Sequence, residues 1–146
     1  MTPASPGDSA SRVHGLAHVG IAVRSLEESI PVWSRSLGFR HTDTIEFESM
    51  KLRIAFLRGG SVELELLEPT TADSPVGRFL SKRGEGIHHL SFLVTDLEQA
   101  LTEAEAAGLE LIDRSPREGS HQTKIAFLSP RTLNGVLVEL CERREP

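Results

Sequence analysis

The segment GLAHVGIAVRSLEESI, Gly15 to Ile30, aligns without a gap onto GIHHLSFLVTDLEQAL, Gly86 to Leu101. Gly15 meets Gly86, His18 meets His89, Val23 meets Val94 and Leu26-Glu27 meets Leu97-Glu98, each 71 residues further on. The same spacing carries IAFL at Ile54 to Leu57 onto IAFL at Ile125 to Leu128, with Arg53 meeting Lys124. After a slip for the longer connection SPRTLNG, SVELEL from Ser61 meets GVLVEL from Gly135, and Glu65 meets Glu139. Such a repeat constrains the fold more than any single motif, because each copy must form the same supersecondary unit.

Each half reads as strand, helix, then further strands. In Val19-Gly20-Ile21-Ala22-Val23 bulky apolar residues alternate with small ones, the period-2 pattern of a strand with one packed face and one open face. His18, Gly20 and Ala22 share the open face; in the second half His89, Ser91 and Leu93 share it, and His88 points the other way. Ser25 and Asp96 are N-cap residues, followed three positions on by Glu28 and Gln99. The first helix is expected to run to Leu37 and stop at Gly38, with Pro31 as an interior cost. The second buries Leu97, Ala100, Leu101 and Ala104 and ends at Gly108. KLRIAFLRG and SVELELLEP then form a hairpin around Gly59-Gly60, and TKIAFLSP with GVLVELCE repeats the plan. The expected organisation is a disordered tail over 1–14, modules over about 15–70 and 86–142 in a single domain of 15–142, and a linker helix over about 75–83.

The 146 residues carry a net charge of −5, and their sixteen basic residues are spread along the chain. Nucleic acid is therefore not an expected partner, since that needs a basic stripe, and with one tryptophan and no tyrosine there is no stacking platform for bases. No run approaches the roughly 18 apolar residues of a membrane span, and the first fifteen residues lack the apolar centre of a signal peptide. No membrane partner is expected, and the single Cys141 suits a cytoplasmic setting and reads as a small buried hydrophobe.

The repeat concentrates the chemistry in four residues. Val62, Leu64 and Leu66 take one face of their strand, which leaves Glu63 and Glu65 on the other; Glu139 likewise faces away from Val136, Val138 and Leu140. Each half thus offers one histidine on its first strand and one glutamate on its last. His18, Glu65, His89 and Glu139 make a set suited to a divalent metal such as Co, Mn, Ni, Zn or Fe. Strand parity alone does not separate Glu63 from Glu65; the alignment with Glu139 selects Glu65.

With these residues in place, AHVGIAV, LGF, VELELLEPTTADSPVGRFLSKRGEGIHHLSF and KIAFLSPRTLNGVLVEL resemble the vicinal oxygen chelate (glyoxalase/bleomycin resistance/dioxygenase) superfamily and, within it, the methylmalonyl-CoA epimerases. The resemblance covers about Leu16 to Glu142. It implies an α+β fold of tandem βαβββ modules forming a curled eight-stranded mixed sheet around a metal site, in a homodimer. Carried over by motif, the ligands fall on His18, Glu65, His89 and Glu139, with cobalt the first choice of ion. The implied activity is interconversion of (R)- and (S)-methylmalonyl-CoA, an acyl-CoA substrate of propionate and branched-chain catabolism.

Epimerisation through an enolate needs a base on each face. Glu139 is the first candidate and Glu65 the next. The position where some members carry a second glutamate is Ile54, and Glu46 or Glu48 would need another register. Ser120, His121, Gln122 and Lys124, in the loop REGSHQTK, are candidates for substrate contact. Rival readings are a glyoxalase-type enzyme acting on a glutathione adduct, using the same metal logic, and a metal-free drug-binding protein of the same fold. A dioxygenase fits less well, since its iron site offers one carboxylate rather than two.

Overall fold

The computed structural model describes residues 12–144. The tail expected over 1–14 falls, through residue 11, outside the described residues. Eight strands and three α-helices follow one another as β1 (Gly15–Ala22), α1 (Leu26–Leu37), β2 (Arg40–Phe47), β3 (Leu52–Gly59), β4 (Val62–Pro69), α2 (Pro75–Arg83), β5 (Gly86–Leu93), α3 (Leu97–Ala106), β6 (Arg117–Glu118), β7 (Thr123–Leu128) and β8 (Val138–Arg143). The fold is α+β, and each half runs βαβββ, as the repeat and the resemblance imply. No helix among the described residues is long and apolar enough to cross a membrane.

The chain divides into two compact units, one of His18–His88 and one built from His89 onward together with the stretch up to Ala17. In the first, the strand order is β2-β3-β4-β1, with β1 parallel to β4 and the other pairs antiparallel. The second repeats it as β6-β7-β8-β5, with β5 parallel to β8. Short turns join β2 to β3, β3 to β4 and β6 to β7, a longer connection joins β7 to β8, and each parallel pair needs a crossover that includes a helix.

In the unit of His18–His88 the sheet is covered on both faces. Ile21, Val23, Ala55, Leu57, Leu64 and Leu66 pack with Leu26 and Trp33 of α1. Ala22, Leu52, Ile54 and Leu67 pack with Val76 and Leu80 of α2. The face of β1 expected to be open is therefore buried at Ala22, because parity fixes which residues share a face and leaves open what covers it. In the other unit Ala126, Leu128, Val138 and Leu140 pack against Val94, Leu97, Ala100 and Leu101 around α3. Val136, expected to pack with Val138, is 37% exposed. The left-handed turn at Asn134 and Gly135 delays the strand, so β8 begins only at Val138.

The helix ends follow the sequence signals. Ser25 Oγ accepts from the Glu28 N–H at 3.2 Å, and Asp96 Oδ1 from the Gln99 N–H at 3.0 Å. Gly38 stops α1 in the left-handed region at φ 80°. A second, longer-range cap is common to both units. Glu68 on β4 accepts from the Leu26 N–H at 3.0 Å, and Glu142 on β8 accepts from the Leu97 N–H at 2.8 Å. Each helix thus has its N3 amide satisfied by its own cap residue and its N1 amide by a carboxylate from the sheet, where the helix dipole favours negative charge.

Candidate functional site

Each unit brings together the histidine of its first strand and the glutamate of its last. The parallel pairing of β1 and β4 sets Gly20 beside Glu65, and His18 Nδ1 lies 3.1 Å from Glu65 Oε2 with both residues buried. Glu63, two residues earlier on the same face, is turned to the surface, where it accepts from Arg58 Nη1 at 2.5 Å. Burial and partner thus distinguish the two glutamates that parity left equal.

In the other unit Ser91 lies beside Glu139 in the β5–β8 register. A ring nitrogen of His89 and a carboxylate oxygen of Glu139 lie within 4.8 Å of one another, again both buried. Ser91, itself fully buried, donates from Oγ to Glu139 Oε1 at 2.6 Å. Burial pushes the Glu139 carboxyl up to about 7, against the opposing hydrogen bond from Ser91 and the positive charge of Arg117. The His89 ring meets the edge of Phe127 with centroids 5.5 Å apart, and Phe127 is the register neighbour of Glu139 on β7.

His88, reversed relative to His89, is half-buried with its ring edge-on to Phe79 at 5.0 Å. Burial pushes its pKa down to about 4, so it is neutral near pH 7. Cys141 is buried, as expected of a small hydrophobe. Ile54 is core, 3% exposed among Leu52, Leu67, Val76 and Leu80.

The loop candidates are distributed differently. Ser120, His121 and Gln122 form one turn between β6 and β7, with His121 and Gln122 both at positive φ, 51° and 62°. Two successive non-glycine residues in that region hold backbone strain, which recurs at ligand clamps. Thr123 Oγ1 ties the turn by donating to the Ser120 carbonyl at 2.8 Å. Lys124 stands apart from them. It pairs in register with Glu142, on the face of β7 that carries Ala126 and Leu128 toward α3, opposite to Phe127 and Glu139. Its counterpart Arg53 is likewise on the helix side, donating to Glu68 at 2.8 Å and reaching Glu27 at 3.4 Å.

Arg117 enters this surroundings unannounced by the sequence, which reads it as part of a loop. As β6 it pairs with Ile125, so it shares the face of Phe127 and Glu139. Its guanidinium sits 5.5 Å over the Phe127 ring, and its Nε lies 3.4 Å from Asp113 Oδ2. The signal that finds both Arg117 and Ser91 is the repeat itself, inspected where the halves differ: Gly20 stands where Ser91 does, and Ile45, the register partner of Ile54, stands where Arg117 does.

The family model of the Glyoxalase/Bleomycin resistance protein/Dioxygenase superfamily matches residues 17–127. An uncharacterized protein of Bacillus subtilis, YqjC, is 50% identical over 129 residues, covering 87% of this chain and 91% of that protein. The mitochondrial methylmalonyl-CoA epimerase of Dictyostelium discoideum is 33% identical over 129 residues, covering 88% and 78%. A solved methylmalonyl-CoA epimerase in complex with methylmalonyl-CoA and NH4+ is similar with a TM-score of 0.86 at 34% identity, covering 90% of this chain and 96% of that one.

Proposed function

The chain belongs to the Glyoxalase/Bleomycin resistance protein/Dioxygenase superfamily, and from that premise we propose that it is a metal-dependent epimerase interconverting (R)- and (S)-methylmalonyl-CoA. The observation that carries this reading is Glu139, a buried carboxyl that accepts from Ser91 Oγ at 2.6 Å beside the buried His89 ring, placed as a proton-moving group would be. The epimerases among the relatives give the reading its substrate, an acyl-CoA whose proton lies between a thioester and a carboxylate.

We assign His18, Glu65, His89 and Glu139 as the residues that hold one divalent ion. The donor chemistry fits: each unit supplies a buried imidazole beside a buried carboxylate, and a dication would relieve two carboxylates that burial otherwise disfavours. When bound, the ion supplies Lewis acidity toward a thioester oxygen, which lowers the barrier to enolate formation. Cobalt is the proposed ion, with manganese, nickel, zinc and iron as other members of the same class.

Glu139 removes the C2 proton on one face. Its Ser91 hydrogen bond fixes which carboxylate oxygen faces the substrate and limits how far burial raises its basicity. Return of a proton on the opposite face completes inversion, and Glu65 is the assigned partner. Ser120, His121 and Gln122 close over the acyl group, while Lys124, on the α3 side of β7 and opposite to Glu139, is left out of the contact set. Residues 15–142 act as one domain in a cytoplasmic homodimer serving propionate catabolism.

The test is deuterium uptake at C2 of methylmalonyl-CoA in heavy water after reloading with cobalt. Wild type exchanges rapidly, Glu139→Ala loses exchange even at cobalt concentrations that restore its metal content, and Glu65→Ala loses inversion. Absence of exchange by fully loaded wild type refutes the proposal, and turnover of a glutathione hemithioacetal in its place would establish the glyoxalase-type alternative.

A further inference from the structure

We propose that Arg117 is the residue that binds the free carboxylate of the substrate and thereby sets its orientation beside Glu139; this rests on the acyl-CoA reading above.

The face that carries Glu139 is nearly a copy of its counterpart in the other unit. His89 matches His18, Phe127 matches Phe56, Ile125 matches Ile54 and Glu139 matches Glu65. The substrate has no such symmetry. One side of its reacting carbon is an uncharged thioester and the other is an anion, so a duplicated pair of acid residues needs an unduplicated group to tell the two apart. Arg117 is that group, standing in the register position that Ile45 occupies in the other unit.

Its placement is built rather than incidental. Asp113 Oδ2 accepts from the Phe127 N–H at 2.8 Å and lies 3.4 Å from Arg117 Nε, so one carboxylate fixes both the strand and the guanidinium lying over its ring. The Arg117 side chain remains 44% exposed. Asp113 engages the Nε edge, which leaves the two Nη groups as the fork that a planar carboxylate fits. Phe127 excludes water from one side of the cation, which strengthens its field. The charges of Arg117 and Asp113 are both felt at Glu139, with opposite sign, so the pair lies next to the proton-moving group. The CoA phosphates are excluded as its target by distance, because they lie at the far end of the pantetheine arm from the reacting carbon.

The experiment measures binding and C2 exchange on metal-loaded protein for methylmalonyl-CoA and for propionyl-CoA, which lacks the carboxylate. Wild type prefers methylmalonyl-CoA. Arg117→Gln weakens methylmalonyl-CoA binding about 10- to 100-fold, as expected for a lost charge-assisted hydrogen bond, and changes propionyl-CoA binding less than about threefold. Arg117→Lys, which keeps charge and loses the fork, falls between. Arg114→Gln, on the surface beside Glu105, changes neither and controls for net charge. Equal losses for both ligands, or no loss for either, overturn the assignment. If wild type binds with carboxylate preference through Arg117 yet exchanges no C2 proton, the epimerase reading fails and the carboxylate site stands. If wild type neither binds nor exchanges, both fail.

Discussion

Truncation of Glu142 to alanine is expected to lower stability by about 1–2 kcal/mol. The carboxylate accepts from the Leu97 N–H at 2.8 Å in a partly buried position, and the residue bearing that amide is itself fully buried. Loss of a hydrogen bond to a charged acceptor costs about 1.5–3 kcal/mol, reduced here because water reaches a partly buried amide. The dipole contribution of an anion at the first turn, about 0.3–1 kcal/mol, is contained within that figure. For a chain of this size the change corresponds to a fall in Tm of about 3–6 °C. Glu142→Gln keeps an uncharged acceptor and recovers about half, since charge-assisted bonds are about twice as strong as neutral ones. Glu68→Ala costs more than Glu142→Ala, because Glu68 also accepts from Arg53 at 2.8 Å.

Urea and thermal unfolding of metal-free protein, with amide exchange followed at Leu26 and Leu97, is the assay. Protection falls first at the amide whose acceptor is removed, while the N3 amides of Glu28 and Gln99 keep their Ser25 and Asp96 acceptors. An unchanged Tm in Glu142→Ala, or glutamine behaving like alanine, refutes the reasoning that a sheet carboxylate caps each helix.

Three further outcomes are expected. His88, pushed down to about 4 by burial, is neutral in the folded state, so below pH 6.5 the unfolded chain takes up a proton the folded one refuses. Stability from this residue is complete above pH 6.5 and falls by up to about 3 kcal/mol as pH drops to 4; His88→Phe flattens that part of the Tm-versus-pH curve, and parallel curves for the two proteins would count against it. Ser91→Ala removes the hydrogen bond that lowers Glu139, so in metal-free protein that carboxyl titrates at higher pH, read by carboxyl NMR against pH; an unmoved titration counts against it. Gly77→Ala, nominally favourable in a helix, sets a Cβ 2.5 Å from the Ala72 carbonyl and lowers Tm, measured by thermal melts.

The repeat made the module order legible, because self-similarity is a property of the chain alone. It also singles out His18, Glu65, His89 and Glu139 by position, and strand parity groups His89 with Ser91. What stayed hidden depends on contacts distant in sequence. Arg117 lies in a two-residue strand, too short for a period-2 pattern, and only its pairing with Ile125 gives it a face. Glu68 and Glu142 give no local signal of their capping role, because the helix amides they accept from are 42 and 45 residues away. The open face expected at Ala22 is buried because α2 covers it, and nothing local in the sequence announces that cover.

Duplication also explains why the informative positions are those where the copies disagree. Two equal halves yield two equal carboxylates, but in the proposed epimerisation one must be ionised while the other is protonated. Glu65 has His18 at 3.1 Å; Glu139 has the Ser91 hydroxyl at 2.6 Å and the field of Arg117. Gly20 offers no hydroxyl where Ser91 does, and Ile45 no charge where Arg117 does. Under the proposed mechanism, these two differences are what give the paired acids distinct surroundings. Installing them in the other copy, as Gly20→Ser with Ile45→Arg, should erode that distinction, and a loss of stereochemical inversion larger than the loss of C2 exchange is the signature to measure.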